Sequence, residues 1–369
     1  MGQPARPETV RVRAPLRPFR VAASSAALAS FMLLAGCGGD DEPTGKAGTT
    51  AASTPPVSWT LVLDYEPNAV HAGLLQAERA GYFDDAGIDL KIVAPSSTSD
   101  ALTQVTRGKA DVGLADLIDV ARRNERAVTT AAEPGATTKP NPDSQVSVAG
   151  AVVQRPLSGI IVRADSRIFE PSQLEGKKIA VSGLPSDEAV VAAIARKDGQ
   201  PVKTKQITLG FNGLKALDAG RVDASTAYWP ADEVTLEQLG TKGRTFALDK
   251  FGGPAYPGLV AFTSRETRVS DPAHVQAFAE ALAHGTRDVI ADPEVGLEAV
   301  QKSFPELDEV TTKAQLDNYV PLFGTAQTAG KLDPAALKAF AAFAATSGLT
   351  ERQLSTEELS AIPPESAPK

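Results

Sequence analysis

The sequence predicts an α/β fold with two similar lobes, each a mixed, mostly parallel sheet flanked by helices, and a ligand cleft between the lobes. Apolar strand patterns alternate with amphipathic helical patterns of roughly ten to fifteen residues, which is typical of right-handed βαβ units. The alternation starts at Ser58 and starts again at Lys177. In addition, GKADVGLA at 108–115 parallels GRVDASTA at 220–227, although such a junction also occurs generically between a helix and a strand.

Short apolar runs rich in β-branched residues predict the strands. In chain order they are WTLVLDY, IDLKIVA, ADVGLAD, VSVAGAVVQ, SGIIVRAD, KKIAVSG, KQITLGF, VDASTAYW and GLVAFTSRE. Amphipathic spacing predicts helices at HAGLLQAERAGYF, at SDALTQVTRG, which Ser99 or Asp100 can cap, at SDEAVVAAIARKDG and at NGLKALDAG. After Asp271 the same spacing predicts helices over His274–Ala291, Glu294–Phe304, Glu309–Leu322 and Pro334–Thr346.

This order of elements predicts the domain boundaries. Residues 58–155 together with 259–369 form the first lobe, which includes the C-terminal helices, and residues 156–258 form the second. An irregular, proline-rich segment, 131–144, interrupts the first lobe. The connecting strands near 153–162 and 258–263 are the expected hinge, because the chain passes between the lobes there.

The N-terminus has the pattern of a secretory lipoprotein signal. Five arginines precede the apolar run VAASSAALASFMLLA, which is too short and too rich in alanine and serine for a good transmembrane helix. Residues 1–36 are therefore predicted to be a signal peptide, with Cys37 lipidated as the mature N-terminus; the alternative is an ordinary signal with an incidental cysteine. Residues 37–57 are predicted to be a flexible tether. This pattern predicts a cell-surface protein that is lipid-anchored to the outer face of the cytoplasmic membrane.

Composition excludes several function classes. The net charge is −8, and loss of residues 1–36, with their five arginines and one glutamate, brings it to −12. Such acidity argues against nucleic acid and anionic lipid as partners, so the membrane is contacted through the lipid anchor only. Cys37 is the only cysteine, which excludes an intramolecular disulfide and a cysteine metal cluster. With three histidines and no HExxH, Gly-x-Ser-x-Gly or GxxxxGK motif, the sequence predicts neither an enzyme nor a bound metal or cofactor.

Polar and aromatic residues cluster where the predicted strands end, which is where open parallel sheets bind ligands. Tyrosine and tryptophan rings suit a planar ligand, and carboxylates suit an exocyclic amine or a ring N–H. The candidate ligand-binding residues are Asp64, Tyr65, Asn68, His71, Asp116, Ser182, Phe211, Asn212, Tyr228, Trp229, Asp232 and Tyr256. Some alternatives stay open. The polar residues at helix starts also fit helix caps, the aromatic residues also fit core packing, and Glu233 could replace Asp232.

Several segments together resemble a known family. LDYEPNAVHAGLLQAERAGYF, GKADVGLAD, VQRPLSGIIV, LEGKKIAVSGLPSDEA and GRVDASTAYW are similar to the extracellular solute-binding proteins related to thiamine-pyrimidine synthase, over roughly residues 58–349. The resemblance implies the type II periplasmic-binding-protein fold. It also implies a monomeric, non-enzymatic lipoprotein that delivers a thiamine pyrimidine precursor (hydroxymethyl or formylaminomethyl type), or in some branches riboflavin, to an ABC permease and its ATPase. Hinge closure would bury the heterocycle.

Two alternatives follow from the same resemblance. A sulfonate, taurine or nitrate binder on this fold would need a cation in the cleft; Arg155 is the candidate, although it could equally form an ion pair between the lobes. The family also contains enzymes that make the pyrimidine from their own histidine with pyridoxal phosphate and iron. His71 occupies the position of that histidine in the family's HxG motif, but the lysine and the cysteine-rich segment of those enzymes are missing here. The chain also departs from the binders, whose second-lobe strand ends in Tyr-Trp-Asn-x-Glu, because residues 228–233 read YWPADE.

Overall fold

The computed structural model describes residues 56–129, 145–251 and 253–360. The predicted signal peptide, Cys37 and the irregular segment 131–144 lie outside these ranges, as does the predicted tether up to residue 55. The first strand begins at Val57, which is the last residue of the predicted tether, and the Val57 N–H already donates to the Gly87 carbonyl at 2.9 Å.

Strands and helices alternate through the first two thirds of the described chain, and helices follow. The strands are β1 (Val57–Val62), β2 (Ile88–Val93), β3 (Val112–Asp116), β4 (Val146–Val153), β5 (Ser158–Arg163), β6 (Lys178–Val181), β7 (Arg196–Lys197), β8 (Gln200–Pro201), β9 (Lys205–Thr208), β10 (Ala224–Tyr228), β11 (Gly243–Ala247) and β12 (Leu259–Ser264). The helices are α1 (Ala72–Ala80), α2 (Tyr82–Asp85), α3 (Asp100–Thr106), α4 (Leu117–Thr129), α5 (Asp187–Ile194), α6 (Gly213–Asp218), α7 (Trp229–Gln238), α8 (Arg265–Ser270), α9 (Pro272–Ala291), α10 (Pro293–Ser303), α11 (Glu309–Tyr319), α12 (Pro334–Ser347) and α13 (Thr356–Leu359). None of the helices in the described ranges combines the length and apolar character needed to cross a bilayer.

The strands form two five-stranded sheets with the same order. The first sheet runs β2-β1-β3-β12-β4 and the second runs β9-β6-β10-β5-β11. In both, the first three strands are parallel and the fourth is antiparallel to its neighbours. Strands β7 and β8 pair separately as a small hairpin. The predicted α/β fold with two similar, mostly parallel sheets is therefore confirmed.

The repeated segments have the same role in the two sheets. Gly108 and Gly220 both adopt the left-handed backbone conformation that ends a helix, with φ of 64° and 65°. Asp111 then accepts a hydrogen bond from a backbone N–H of β1 at 2.8 Å, and Asp223 accepts the equivalent bond from β6 at 2.8 Å. Because each aspartate joins a new strand to its parallel neighbour in the same way, the repeat marks two equivalent α/β units.

The chain crosses between the sheets twice. β4 leads through residues 154–157 to β5 of the second sheet, and β11 leads back through residues 248–258 to β12 of the first. A large hydrophobic cluster contains buried residues from both sheets and from α4, α5 and α12, so apolar contacts continue from one sheet to the other. A second cluster packs α1, α9, α10 and α11 on the first sheet. We use "first lobe" for the first sheet with α1, α4, α9, α10 and α11, and "second lobe" for the second sheet with α5, α6 and α7.

The C-terminal helices agree closely with the prediction, whereas the segment after β10 does not. The sequence pattern places Trp229 in a strand, but β10 ends at Tyr228 and Trp229 begins α7. Pro230 is the second residue of α7, where its fixed φ favours helix initiation and its missing N–H costs no helical hydrogen bond. The sequence patterns also fail to predict β11, because an edge strand that is only partly buried has a weak apolar pattern.

Helices α1 and α9 approach each other closely where Gly73 of α1 faces Gly285 of α9. A Cβ on Gly285 would overlap the Gly73 carbonyl oxygen and lie 2.7 Å from the Ala77 Cα, so backbone atoms would have to move. Gly285→Ala is therefore expected to lower the free energy of unfolding by about 2–3 kcal/mol, measured by chemical denaturation. Gly150→Ala is the control, because its new Cβ would approach no neighbouring heavy atom closer than 3.4 Å, which is an ordinary contact. Equal losses in the two variants would contradict a rigid helix contact at Gly285.

Candidate ligand-binding cleft

A cleft between the two sheets collects polar and aromatic side chains near the carboxyl ends of β1, β6 and β10. Its volume is about 800 Å³ when the space open to solvent is included. Its lining residues are Asp64, Tyr65, Asn68, Asp119, Ser158, Gly159, Ser182, Leu184, Ser186, Asp187, Val190, Gly210, Gly213, Leu214, Ser225, Thr226, Ala227, Tyr228, Ala231, Asp232 and Tyr319. Both lobes contribute, and open α/β sheets commonly bind ligands at this position.

Asp64 follows β1 and is oriented by the buried His71. The His71 Nδ1 accepts the Asn68 N–H at 3.2 Å and so carries no proton; the proton is on Nε2, which donates to Asp64 Oδ1 at 2.9 Å. The Asn68 side chain accepts the Val70 N–H at 2.9 Å and fixes the turn. Asp64 Oδ2 is buried and has no hydrogen-bond partner among the described residues. The cleft therefore contains an oriented carboxylate with an acceptor oxygen still available.

Asp232 is the corresponding carboxylate of the second lobe. It lies in the first turn of α7, and its Oδ2 accepts the Tyr228 N–H at 2.7 Å. The helix N-terminus favours negative charge there, but burial has the larger effect and raises the pKa of Asp232 to about 7. Asp232 lines the cleft and Glu233 does not, which assigns the cleft carboxylate between the two candidates.

Two further carboxylates line the cleft near the start of α5. Asp187 Oδ2 accepts the backbone N–H groups of Gly183 and Leu184 at 2.6 and 2.8 Å. Asp119 of α4 accepts the Ser186 N–H at 3.0 Å, which joins the two lobes. Burial raises the pKa of Asp187 above its usual range and raises the pKa of Asp119 to about 8. The N–H groups of Gly183, Leu184 and Ser186, which precede α5, are thus bonded to the protein's own carboxylates.

Tyrosine rings supply the aromatic surface of the cleft. Tyr65 meets Phe211 edge to face, with ring centroids 4.8 Å apart, and Tyr319 stacks on Phe323 at 6.2 Å. Burial raises the pKa of Tyr65, Tyr228 and Tyr319, so their hydroxyl groups keep their protons. The cleft can therefore stack on a planar ring and also donate hydrogen bonds to it.

The ionisable side chains that line the cleft are acids and tyrosines, without a basic residue among the described lining residues. Four carboxylates line it, and within the described ranges its lining contains no lysine, arginine or histidine. Because burial raises the pKa of Asp119 to about 8 and of Asp232 to about 7, the negative potential of the cleft grows as the pH rises through this range. The arrangement suits a neutral or cationic ligand that is rich in N–H donors, since charge-assisted hydrogen bonds are the strong ones.

The structure brings half of the predicted ligand-binding residues into the cleft lining and leaves the other half outside it. Those in the lining are Asp64, Tyr65, Asn68, Ser182, Tyr228 and Asp232. Those outside it are His71, Asp116, Phe211, Asn212, Trp229 and Tyr256. Each residue of the second group has a structural position that explains the difference.

Three of the residues outside the cleft use their polar groups within the protein. Both ring nitrogens of His71 are hydrogen-bonded, as described above. Asp116 Oδ2 accepts the Ser158 hydroxyl at 2.7 Å and its Oδ1 accepts the Ile118 N–H at 2.8 Å. Trp229 Nε1 donates to the Pro156 carbonyl at 3.3 Å and so contacts the crossover segment rather than a ligand.

The remaining three are packing or surface residues. Phe211 supports Tyr65, and Asn212 lines a separate groove on the second lobe. Tyr256 is fully buried against Phe340, with ring centroids 4.7 Å apart. Arg155, the candidate cation, forms an ion pair with Asp249 at 2.8 Å, and neither residue lines the cleft.

The sequence patterns miss Asp119, Ser158 and Tyr319 as cleft residues. Asp119 lies in the first turn of α4, three residues after the strand end at Asp116. A polar residue at this position of LADLIDVA, directly after a strand end, could have indicated that Asp119 faces the cleft. Ser158 begins a strand that runs antiparallel to its neighbours, so its N-terminal end reaches the cleft. Tyr319 lies on a C-terminal helix, and no local pattern indicates which of its residues contacts the cleft.

A model of the family described as NMT1/THI5 like matches residues 68–295, which is more than half of the chain. The chain belongs to this family. The predicted resemblance is thereby confirmed, and the match covers most of the residues that line the cleft.

The NMT1/THI5-like relatives include both binding proteins and synthases by name. The chain is 26% identical over 258 residues to the formylaminopyrimidine-binding protein of Halalkalibacterium halodurans, covering 68% of this chain and 73% of that protein. It is 24% identical over 245 residues to a 4-amino-5-hydroxymethyl-2-methylpyrimidine phosphate synthase of Saccharomyces cerevisiae, covering 63% of this chain and 67% of that protein.

Solved structures establish the fold of this NMT1/THI5-like chain. The alkanesulfonate-binding protein SsuA of Xanthomonas axonopodis pv. citri superposes with a TM-score of 0.61 at 18% identity, covering 83% of this chain and 99% of that one. The periplasmic nitrate-binding protein NrtA of Synechocystis superposes with a TM-score of 0.52 at 11% identity, covering 69% of each chain. The type II periplasmic-binding-protein architecture predicted from the sequence is confirmed.

The cofactors that the resemblance associates with the family's enzymes do not fit this cleft. Its lining contains no lysine for pyridoxal phosphate and no cation for the phosphate group within the described ranges. Nor do the described residues contain a group of three or more His, Cys, Asp or Glu side chains arranged to hold a metal ion.

Proposed function

We propose that the protein is the extracytoplasmic solute-binding component of an ABC importer and that it captures a small planar nitrogen heterocycle in the cleft. The ligand is a thiamine pyrimidine precursor of the hydroxymethyl or formylaminomethyl type. The observation that carries the proposal is the presence of Asp64 and Asp232, from different lobes, in one tyrosine-lined cleft. The relative named as a formylaminopyrimidine-binding protein supports the same ligand class.

The two carboxylates give an aminopyrimidine a defined orientation. The unpartnered Oδ2 of Asp64 accepts from the exocyclic amine, and Asp232 accepts from a second N–H donor at the opposite lobe. Each such charged hydrogen bond contributes about 1.5–3 kcal/mol, and stacking on a tyrosine ring adds about 0.5–1.5 kcal/mol. Because the acceptors belong to different lobes, a bound ring favours the closed arrangement.

The same contacts argue against the sulfonate, taurine and nitrate alternative. An anion needs a cation or free backbone N–H groups at a helix start. The N–H groups of Gly183, Leu184 and Ser186 are already bonded to carboxylates, and Arg155 is paired with Asp249. An anion would therefore meet four carboxylates in the cleft and no counter-charge from the described lining residues.

The synthase alternative finds equally little support in the residues. The histidine that those enzymes consume corresponds to His71, which is fully buried and serves to orient Asp64. The cleft also lacks the groups that would hold the enzymes' cofactors. We propose that the chain binds its ligand and catalyses no reaction.

A role in transport accounts for both the ligand-binding cleft and the lipoprotein pattern at the N-terminus. The closed, loaded protein presents the ligand to a membrane permease, and the ATPase partner supplies the energy. Lipidation at Cys37 would keep the binding lobes near that permease, with the tether allowing them to move. This anchoring is supported by the sequence pattern of residues 1–37 alone.

Ligand titration tests the proposal. The full chain with Cys37→Ser is titrated by calorimetry with the two pyrimidine precursors, thiamine, riboflavin, taurine, an alkanesulfonate and nitrate. We expect one of the pyrimidines to bind with a dissociation constant in the micromolar range or below, and the anions to leave the protein unchanged.

Two variants locate the binding site in the same experiment. Asp232→Asn is expected to weaken pyrimidine binding at least about tenfold, because a charged acceptor is lost. Asn212→Ala is the control, since Asn212 lies outside the cleft lining and should bind normally. Binding of an anion alone would overturn the ligand class, and binding of riboflavin alone would keep the cleft but change the ring system.

A further inference from the structure

Helices α7 and α11 meet at the edge of the cleft although they belong to different lobes. α11 packs on α10, which packs on α1 of the first lobe. α7 packs on β5, β10 and β11 of the second sheet. A contact between these two helices therefore exists only while the lobes are together.

Two side-chain amides of α11 make that contact. Gln315 Nε2 donates to Thr235 Oγ1 at 3.1 Å, and Asn318 Nδ2 donates to the Pro230 carbonyl at 2.9 Å. The Thr235 hydroxyl donates its own proton to Ala231 of α7 at 3.0 Å, which leaves its oxygen free to accept from Gln315. Gln315 is buried, so this hydrogen bond is shielded from water.

The contact is adjacent to the ligand-binding residues on both helices. Asn318 precedes the cleft residue Tyr319, and Asp232 lies between Pro230 and Thr235 on α7. Neither Gln315 nor Asn318 lines the cleft. Separation of the lobes would move Asp232 away from Tyr319 and would break both amide hydrogen bonds.

We propose that Gln315 and Asn318 form an interlobe latch, which holds α7 against α11 over a bound ligand and sets the rate of its release. The latch rests on the proposed ligand-binding function, and the two residues act as positioning residues that do not touch the ligand. The ligand-free protein exchanges between a latched and an open arrangement, and ligand enters the open one, so loss of the latch acts mainly on dissociation.

Release kinetics test the latch. In the full chain with Cys37→Ser, Gln315→Ala with Asn318→Ala is expected to release the bound pyrimidine about tenfold faster in a stopped-flow displacement experiment, with association unchanged within about twofold. Thr235→Val should give no further increase in a chain that already carries Gln315→Ala, since both changes remove the same Gln315–Thr235 hydrogen bond.

Gln301→Ala is the matched control. Gln301 Nε2 donates to Thr312 Oγ1 at 3.3 Å, which is the same chemistry between α10 and α11 within the first lobe. This variant should release ligand at the wild-type rate. If Gln301→Ala releases ligand as fast as the latch variant does, the faster release is due to general loosening of α11, and the latch is overturned.

A distance measurement separates the latch from the proposed function. Because Cys37 is the only cysteine, spin labels can be placed uniquely at Gln238→Cys in α7 and Lys302→Cys in α10 of the Cys37→Ser chain. We expect the latch variant, and not Gln301→Ala, to shift the ligand-free distance distribution toward longer values. If no compound binds, the proposed function fails and this distance alone decides the latch. An unchanged distribution and an unchanged release rate would overturn it.

Discussion

Asp64→Asn is expected to weaken binding of the pyrimidine by about 10- to 100-fold while leaving the ligand-free protein at least as stable as the wild type. The new amide keeps an oxygen for the His71 Nε2–H and places its NH2 group where the unpartnered Oδ2 was. An acceptor for the ligand's amine is thus replaced by a donor, and loss of a charged hydrogen bond costs about 1.5–3 kcal/mol. Removal of a buried charge offsets any loss of stability.

Calorimetry and thermal unfolding of the same sample measure the two halves of this prediction. Asp165→Asn is the control, because Asp165 is an exposed aspartate paired with Arg163 outside the cleft lining, and it should bind ligand normally. Binding by Asp64→Asn within twofold of the wild type would show that Asp64 does not contact the ligand. A large loss of thermal stability would show that Asp64 acts mainly through the fold.

The ligand-free protein is expected to become more stable as the pH falls from 8 to 5. Burial raises the pKa of Asp116, Asp232 and Asp119 to about 6, 7 and 8, above an unfolded value near 3.8. In this window the folded protein binds more protons than the unfolded chain, so stability decreases as the pH rises. Aspartates whose pKa is lowered, such as Asp165 and Asp308, lose their contribution only below this window.

The melting temperature at pH 5, 6, 7 and 8 measures this effect. We expect it to fall by at least about 3 °C across the range, and Asp232→Asn to reduce the slope between pH 6 and 8. Glu78, whose pKa burial raises to about 7, contributes a slope of the same sign from outside the cleft lining. A slope that Asp232→Asn leaves unaltered would assign the titration to other groups.

Ligand affinity should have the opposite pH dependence. An ionised Asp232 accepts a charge-assisted hydrogen bond from the ligand, whereas a protonated one accepts only a weaker neutral bond, so affinity is expected to rise by up to about tenfold between pH 6 and 8. Stability without ligand and affinity for ligand then change in opposite directions over one pH range. Asp232→Asn should abolish the rise in affinity, and a rise that persists would point to titration of the ligand itself.

The sequence was sufficient for most of the architecture and for part of the site. The two α/β units could be predicted because their strands are apolar runs and their junctions share a glycine and an aspartate, which have the same hydrogen bonds at Asp111 and Asp223. Asp64 and Asp232 could be predicted because they follow strands. Trp229 and Tyr256 lie outside the cleft lining, which the sequence did not indicate because aromatic residues satisfy a core and a ligand site equally well.

Local patterns along the chain are enough to specify most of the order of strands and helices, the two-lobed class and the acidic, cysteine-poor character of the protein. These properties depend on residue types and on spacings within a few residues. Long-range packing alone decides which strand-end residues share one cleft, that both ring nitrogens of His71 are hydrogen-bonded within the protein, and that Asp119 and Tyr319 line the cleft. It decides them because a side chain's remaining hydrogen-bond capacity depends on neighbours that are distant in sequence, and no local pattern encodes those contacts.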